Sequence, residues 1–235
     1  MSLNIFLGWD SREEEAYKVA SESILRRVID TSVKITPLKL KELNILTRPI
    51  ERENGRLWCP ISNAPMSTEF AISRFCVPFL QDNGWALFCD SDILCLTNIK
   101  EIFDLANDKY AVMVVKHKHN PKQGIKMDNQ VQTSYSRKNW SSVVLWNCGH
   151  KGNKRLTLEA LNTWPGRDLH AFKWLKDSEI GELPKEWNWL VGEMEEVTEN
   201  PKLLHFTNGV PPMPGYEFSD FSDLWWNERT SIDDF

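Results

Sequence analysis

Asp90 and Asp92, one residue apart, close an apolar run of strand length, Trp85-Ala86-Leu87-Phe88-Cys89. Two carboxylates at that spacing repel each other unless a cation lies beside or between them. Ligands of α/β sheets collect where strands end, so a divalent metal holding phosphate is one chemistry the motif supports. The other reading is a turn, because Asp and Ser bond locally to the backbone. His205, in Leu203-Leu204-His205-Phe206, is the next chemical group. Alone it reads as a packed strand histidine; beside two aspartates its imidazole completes a mixed oxygen and nitrogen site that suits Mn²⁺ better than Mg²⁺. Arg74 precedes Asp90 by sixteen residues, and a guanidinium can grip a diphosphate through two bonds, although a solvated arginine is the default. Asp10 follows the first expected strand, as an acceptor for base or ribose or as a turn or capping residue.

The elements that must position these groups alternate early in the chain. Leu3 to Leu7 reads as a buried strand. Ser11 and Glu14 have capping-box spacing, and Tyr17, Ala20, Ile24 and Val28 recur at helical period, which predicts a helix to about Ile29. Val33 to Thr36 is a second strand. Residues 54–65 are polar and read as a loop; Ser67 to Phe75 reads as a helix that Pro78 ends or kinks. Strands are expected up to Cys89, at Ile93–Leu96, Tyr110–Val115, Ser141–Trp146 and Leu203–Phe206, with helices around Ile102–Leu105 and Leu158–Leu161. Lys116 to Lys138 is basic and long for a loop, as binding segments often are. Beyond Trp164 the chain reads as irregular and rich in Trp and Pro. The opening strand–helix–strand unit is Rossmann-like but lacks Gly-x-Gly-x-x-Gly, which argues against a nicotinamide or flavin cofactor. The pattern predicts one α/β domain with a mixed central sheet.

The 235 residues are 41% hydrophobic and 26% charged, enough for a packed core. A net charge of -5 argues against nucleic acid as a partner. No run reaches the length of a transmembrane segment, and the N-terminus has no signal-peptide pattern. Five cysteines without a Cys-x-x-Cys pair fit reduced core thiols in a cytoplasmic protein. Eleven tryptophans read mainly as packing, with a slight bias towards a carbohydrate ligand.

Taken in order, these motifs resemble the family 8 retaining glycosyltransferases, which have the GT-A fold, a Rossmann-like nucleotide-sugar half fused to an acceptor half. Leu3 to Asp10 is similar to the first strand and base-binding turn, Ser67 to Arg74 to the helix whose Arg contacts the nucleotide, Phe88 to Asp92 to the Asp-x-Asp strand end, and Leu204-His205-Phe206 to the late metal-binding His. The resemblance covers nearly the whole chain and implies a single domain over residues 1–235, with the nucleotide-sugar half at about 1–115 and the acceptor half at about 116–235. It implies transfer of a hexosyl group from a nucleotide-diphosphate sugar, a UDP-sugar, to a carbohydrate hydroxyl with retention. Gly8, Asp10, Arg74, Asp90 and Ser91 would contact the donor, and Asp90, Asp92 and His205 would hold Mn²⁺ or Mg²⁺. Asp177 and Glu179 are candidates for the β face of the sugar or for orienting the acceptor, against a reading in which they line a polar loop. Residues 138–142 and 179–184 resemble a bacterial or phage subgroup.

Two departures stand out. Trp140 and Ser142 occupy positions where the family usually has Asn and Gly. Val210-Pro211-Pro212 replaces Lys-Pro-Trp and leaves no lysine for the β-phosphate, for which Lys116, Lys126 or Arg74 are alternatives. Two other functions stay open at this point: a degenerate GT-A module that binds carbohydrate or nucleotide without turnover, and a haloacid-dehalogenase-like phosphatase. The phosphatase reading needs a later acidic pair, and the adjacent acids downstream are Glu195-Glu196 and Asp233-Asp234.

Overall fold

The computed structural model describes residues 2–53, 56–117, 125–126, 130–131, 137, 139–194 and 200–233. Most of the basic segment 116–138, the pair Glu195-Glu196, Asp234 and the side chains of Lys126 and Asp233 lie outside them.

The chain opens with β1 (Ser2–Gly8), α1 (Glu14–Leu25) and β2 (Ser32–Leu38). A small antiparallel sheet follows, made of β3 (Glu51–Glu53), β4 (Arg56–Cys59) and β5 (Ala64–Met66), where the sequence reads as loop. Next come α2 (Phe70–Ser73), a 3₁₀ turn over Arg74–Cys76, and α3 (Val77–Leu80). Pro78 sits in the first turn of α3, where its missing N–H costs nothing, so it starts a helix instead of ending one. The middle of the chain supplies β6 (Trp85–Cys89), β7 (Ile93–Cys95), α4 (Lys100–Phe103), β8 (Val112–Val114), the short pair β9 (Ile125–Lys126) and β10 (Gln130–Val131), and β11 (Val143–Asn147). The remainder holds α5 (Leu158–Thr163), α6 (Gly166–His170), β12 (Ile180–Glu182), β13 (Trp189–Leu190), β14 (Leu203–His205) and α7 (Ser222–Asp233). Helix α7 lies where the sequence reads as irregular; Trp225 is its anchor, fully buried beside Leu204 and Phe206.

Among the described residues the central sheet has six strands in the order β12-β8-β11-β6-β1-β2. β1 runs parallel to β2 and β6, β8 runs parallel to β12, and β11 is antiparallel to both its neighbours, so the sheet is mixed as expected. β11 and β12 belong to this sheet, so residues beyond 115 build part of the same layer as the first half. Alternation along the strands splits the core in two. Phe6, Phe88, Val144 and Trp146 face the layer of α2, α5 and α6, whereas Ile5, Leu7, Leu87 and Leu145 face α1 and α4. On the first face Trp146 stacks on Trp174 with ring centroids 6.3 Å apart, and Phe75 meets Trp174 edge-on at 5.9 Å. Each such ring contributes roughly 2–3 kcal/mol of burial.

A second sheet, β13-β14-β7, places β14 antiparallel to β7 with His205 opposite Ile93. The link from β6 to β7 is Asp90-Ser91-Asp92 itself. That tripeptide carries the chain from one sheet to the other and ends both strands at one edge. Among the described residues no helix is long and apolar enough to cross a membrane. All five cysteines are free and buried.

Candidate metal centre and nucleotide-sugar cleft

The register of the second sheet sets the site. Phe206 N donates to Asp92 O at 2.8 Å, so His205 stands beside the acidic tripeptide. Its Nε2 lies 3.3 Å from Asp92 Oδ1 and 4.0 Å from Asp90 Oδ2. One ligand atom from each of Asp90, Asp92 and His205 falls within 4.8 Å of the others. Residues distant in sequence therefore meet as the Asp-x-Asp and His pattern implies.

The proton on His205 is set from behind. Asn188, fully buried, donates from Nδ2 to Ser142 Oγ at 2.9 Å, which orients its amide. Its Oδ1 then faces His205 Nδ1 at 2.9 Å and accepts that N–H. Ser142 Oγ in turn donates to Asn139 O at 2.8 Å, leaving its own lone pair for the amide. With Nδ1–H so engaged, Nε2 is the ring atom that faces the two carboxylates, as a metal ligand when the imidazole is neutral and as a donor when it is protonated. Asp90 Oδ1 and Asp92 Oδ1 are both buried and, among the described residues, without an aligned hydrogen bond, an unusual state for a carboxylate oxygen. Two carboxylates and one imidazole brought this close together fit a hard divalent cation such as Mn²⁺ or Mg²⁺.

Arg74 supplies the fixed positive charge. Its Nη1 stands 2.8 Å from Asp90 Oδ1, while its aligned hydrogen bond goes to Ser141 O, also at 2.8 Å. The guanidinium is held between the Phe70 and Phe88 rings, 5.4 and 5.2 Å from their centroids. Burial raises the Asp90 carboxyl to about 6, against the lowering pull of Arg74, with Asp92 adding to the rise. For Asp92, burial also raises the value, but the charge and hydrogen bond of His205 outweigh it and the group lies below the usual carboxylate range. Ser91 is fully buried, and among the described residues its Oγ has no hydrogen-bond partner.

The other predicted donor contacts have structural duties. Asp10 is buried, accepts from Arg12 Nε and Nη2 at 2.9 and 2.6 Å, and accepts from Glu69 N at 3.0 Å. Its carboxylate thus ties the β1 turn to the start of α2, with its acidity increased by those partners in spite of burial. Ser11 does not cap α1; its Oγ donates to Glu69 Oε1 at 2.8 Å, and Arg52 pairs with the same carboxylate. A Cβ on Gly8 would come within 2.6 Å of the Phe70 ring, so the residue is small because α2 packs on it.

Asp177 and Glu179 are not brought to this edge. Glu179 O accepts from Ala111 N at the start of β8, whereas Asp90 follows the end of β6. The central strands thus separate the two carboxylates from the acidic pair. Asp177 is exposed and paired with Arg137, and Glu179 is paired with Arg155. Each carboxylate is thus paired locally with an arginine. Of the candidate phosphate cations, Arg74 is committed to Asp90 and Ser141, and Lys116 Nζ lies over the Trp140 ring at 5.8 Å.

Three functional neighbours escape a reading of sequence. Asn188 has a faint signal, a lone amide between Trp187 and Trp189, both buried. Glu13 sits at the N-terminus of α1, where a run of three acids reads as dipole complement; its carboxyl is pushed up to about 7 by burial and then by Asp92 and Asp10. His170, at the end of α6, has no sequence signal.

The layered α/β architecture with this site at the strand ends is the GT-A fold. The structure superposes on the galactosyltransferase LgtC, solved with donor and acceptor sugar analogues, with a TM-score of 0.63 and 11% identity over 97% of this chain and 96% of that one. The bifunctional glycosyltransferase WbbM matches with a TM-score of 0.63 and 14% identity over 97% of this chain, which spans about half (49%) of the WbbM chain. GlyE of Streptococcus pneumoniae matches with a TM-score of 0.60 and 15% identity, over 97% of this chain and 60% of that one. No protein-family model matches the sequence. The chain belongs to the family of Protein CDI of Arabidopsis thaliana, to which it is 46% identical over 229 residues, 95% of this chain and 85% of that protein. That relative is a plant protein.

Proposed function

We propose that this protein is a metal-dependent glycosyltransferase of the family 8 type, moving a hexosyl group from a UDP-sugar to a carbohydrate hydroxyl with retention of configuration. The observation that carries the reading is the convergence of one ligand atom each from Asp90, Asp92 and His205 within 4.8 Å of one another. Asp90, Asp92 and His205 would hold Mn²⁺ or Mg²⁺, which when bound neutralises charge developing on the departing diphosphate. Arg74 keeps Asp90 ionised and fixes its direction. Asn188 and Ser142 keep the imidazole in the ligating tautomer. Asp10 and Glu69 hold the β1 turn where the base and ribose would lie, and Ser91 lies between the two acids at the donor site.

Nucleotide-sugar binding is ascribed to residues up to about 115 and acceptor binding to those beyond, with the reaction at the shared sheet edge. The names of LgtC, WbbM and GlyE support transfer chemistry on this fold, and the five buried free thiols suit a cytoplasmic location. The acidic pair follows the third parallel strand of the sheet, not the opening strand that a haloacid-dehalogenase-like phosphatase uses. The decisive test pairs Asp92→Asn and His205→Ala. Both should abolish Mn²⁺-dependent hydrolysis of UDP-sugars, and the thermal melt of Asp92→Asn should stay near wild type. Activity retained in both would remove the metal centre from the account; binding of UDP with Mn²⁺ but no turnover by the wild type would instead identify a degenerate binding module.

A further inference from the structure

His170 lies next to the site. Gly166, at the start of α6, packs against Ile72 of α2; a Cβ there would sit 3.3 Å from Ile72 Cδ1. This contact brings the other end of α6 to the turn that carries Arg74. The His170 ring meets Phe75 edge-on, with centroids 5.2 Å apart. Its Nδ1 is 2.7 Å from Ser141 Oγ, and Ser141 O is the acceptor for Arg74. The neighbouring Ser142 O accepts from Asp90 N at 2.9 Å. His170 is therefore bonded to the segment that backs the acidic pair.

The hydrogen-bond network assigns the tautomer. Among the described residues Ser141 Oγ–H has no other acceptor, so it donates to Nδ1 and the ring proton resides on Nε2. Nε2 has no protein partner among those residues and is not sealed from solvent, since the ring is only partly buried. Burial, with the charges of Arg74 and Arg48, lowers the imidazole to about 3, so it is neutral under working conditions. A neutral ring that cannot take a proton is unsuited to act as a general base, but it is a rigid N–H donor. A nucleotide sugar held at the acidic pair would offer such a donor two kinds of acceptor, phosphate oxygens and sugar hydroxyls, and UDP alone offers only the first.

We propose that His170 donates a hydrogen bond from Nε2 to a hydroxyl of the transferred hexose, with Ser141 as the positioning residue that maintains the donor tautomer. This rests on the transferase reading and adds a determinant of donor-sugar choice. The test is calorimetric titration of the full chain, saturated with Mn²⁺, using UDP, UDP-glucose, UDP-galactose and UDP-N-acetylglucosamine. One sugar nucleotide should bind the wild type more tightly than UDP. His170→Ala should lose about five- to tenfold of that margin, the worth of one hydrogen bond, and bind UDP unchanged. His170→Gln keeps an N–H donor and should recover part of the margin, which a purely structural role would not explain. An unchanged margin in His170→Ala, a parallel fall in UDP affinity, or no sugar exceeding UDP in the wild type would each overturn the assignment. Failure of the wild type to bind UDP at all would refute the transferase reading and this inference together.

Discussion

Asn188 offers the sharpest test of the metal centre because it never touches the metal. Asn188→Ala removes the acceptor 2.9 Å from His205 Nδ1 and the donor 2.9 Å from Ser142 Oγ. Ser142 keeps its bond to Asn139 O, so the group orphaned in the interior is the imidazole N–H. Leaving that donor buried and unpaired costs about 1–3 kcal/mol of folding free energy. The ring then has no reason to keep its proton on Nδ1, and a proton on Nε2 competes directly with the ion. Loss of such a supporting partner lowers metal affinity about 10- to 100-fold, or about 1.4–2.7 kcal/mol. The assay is titration of the protein with Mn²⁺, following the free ion by electron paramagnetic resonance. Asn188→Asp is the control: its carboxylate accepts the same proton, so Mn²⁺ affinity should be kept or increased. Wild-type affinity in Asn188→Ala, with an unaltered near-ultraviolet circular dichroism spectrum, would show that the amide does not govern the imidazole.

Further outcomes follow from the surroundings of the site. Glu13 holds its proton to about pH 7 when folded, against 4.5 as its ordinary value, so the folded state binds more protons and stability falls as pH rises through that window. Glu13→Gln should therefore gain up to about 3 kcal/mol over the wild type at pH 8 and nothing at pH 4, measured by urea melts. Gly8→Ala should lose about 1–3 kcal/mol through overlap with Phe70, and Gly8→Ala combined with Phe70→Leu should recover much of it with nucleotide binding intact. If the double variant folds well yet loses UDP, Gly8 serves the nucleotide and not the packing. Asp177→Ala and Glu179→Ala should turn over donor at the wild-type rate in a UDP-release assay; a collapse of kcat in either would bring them back to the reaction.

The alternating apolar strands and the abrupt stop at Asp90 were legible in the chain because strand burial and charge are local properties. So were the Rossmann-like opening, the mixed sheet, and the likeness of the Arg74, Asp-x-Asp and His205 motifs to one family. The small sheet at residues 51–66 was not legible, since its strands are only three or four residues long, too short to show an alternation even though Leu57, Cys59 and Met66 reach the core. Helix α7 was hidden for a related reason: its stability comes from Trp225 reaching the core beneath β14, a contact that no local periodicity announces.

The site divides along the same line. The sequence by itself determined which atoms are available to a cation, two carboxylates and an imidazole, because ligand chemistry is a property of residue type. Only the tertiary structure decided that β14 pairs with β7 so that His205 faces Asp92, that Asn188 sets its proton, and that Asp177 and Glu179 stand at the far edge of the sheet. Strand register and the direction of a hydrogen bond depend on partners distant in sequence, whereas the choice of ligand atoms does not.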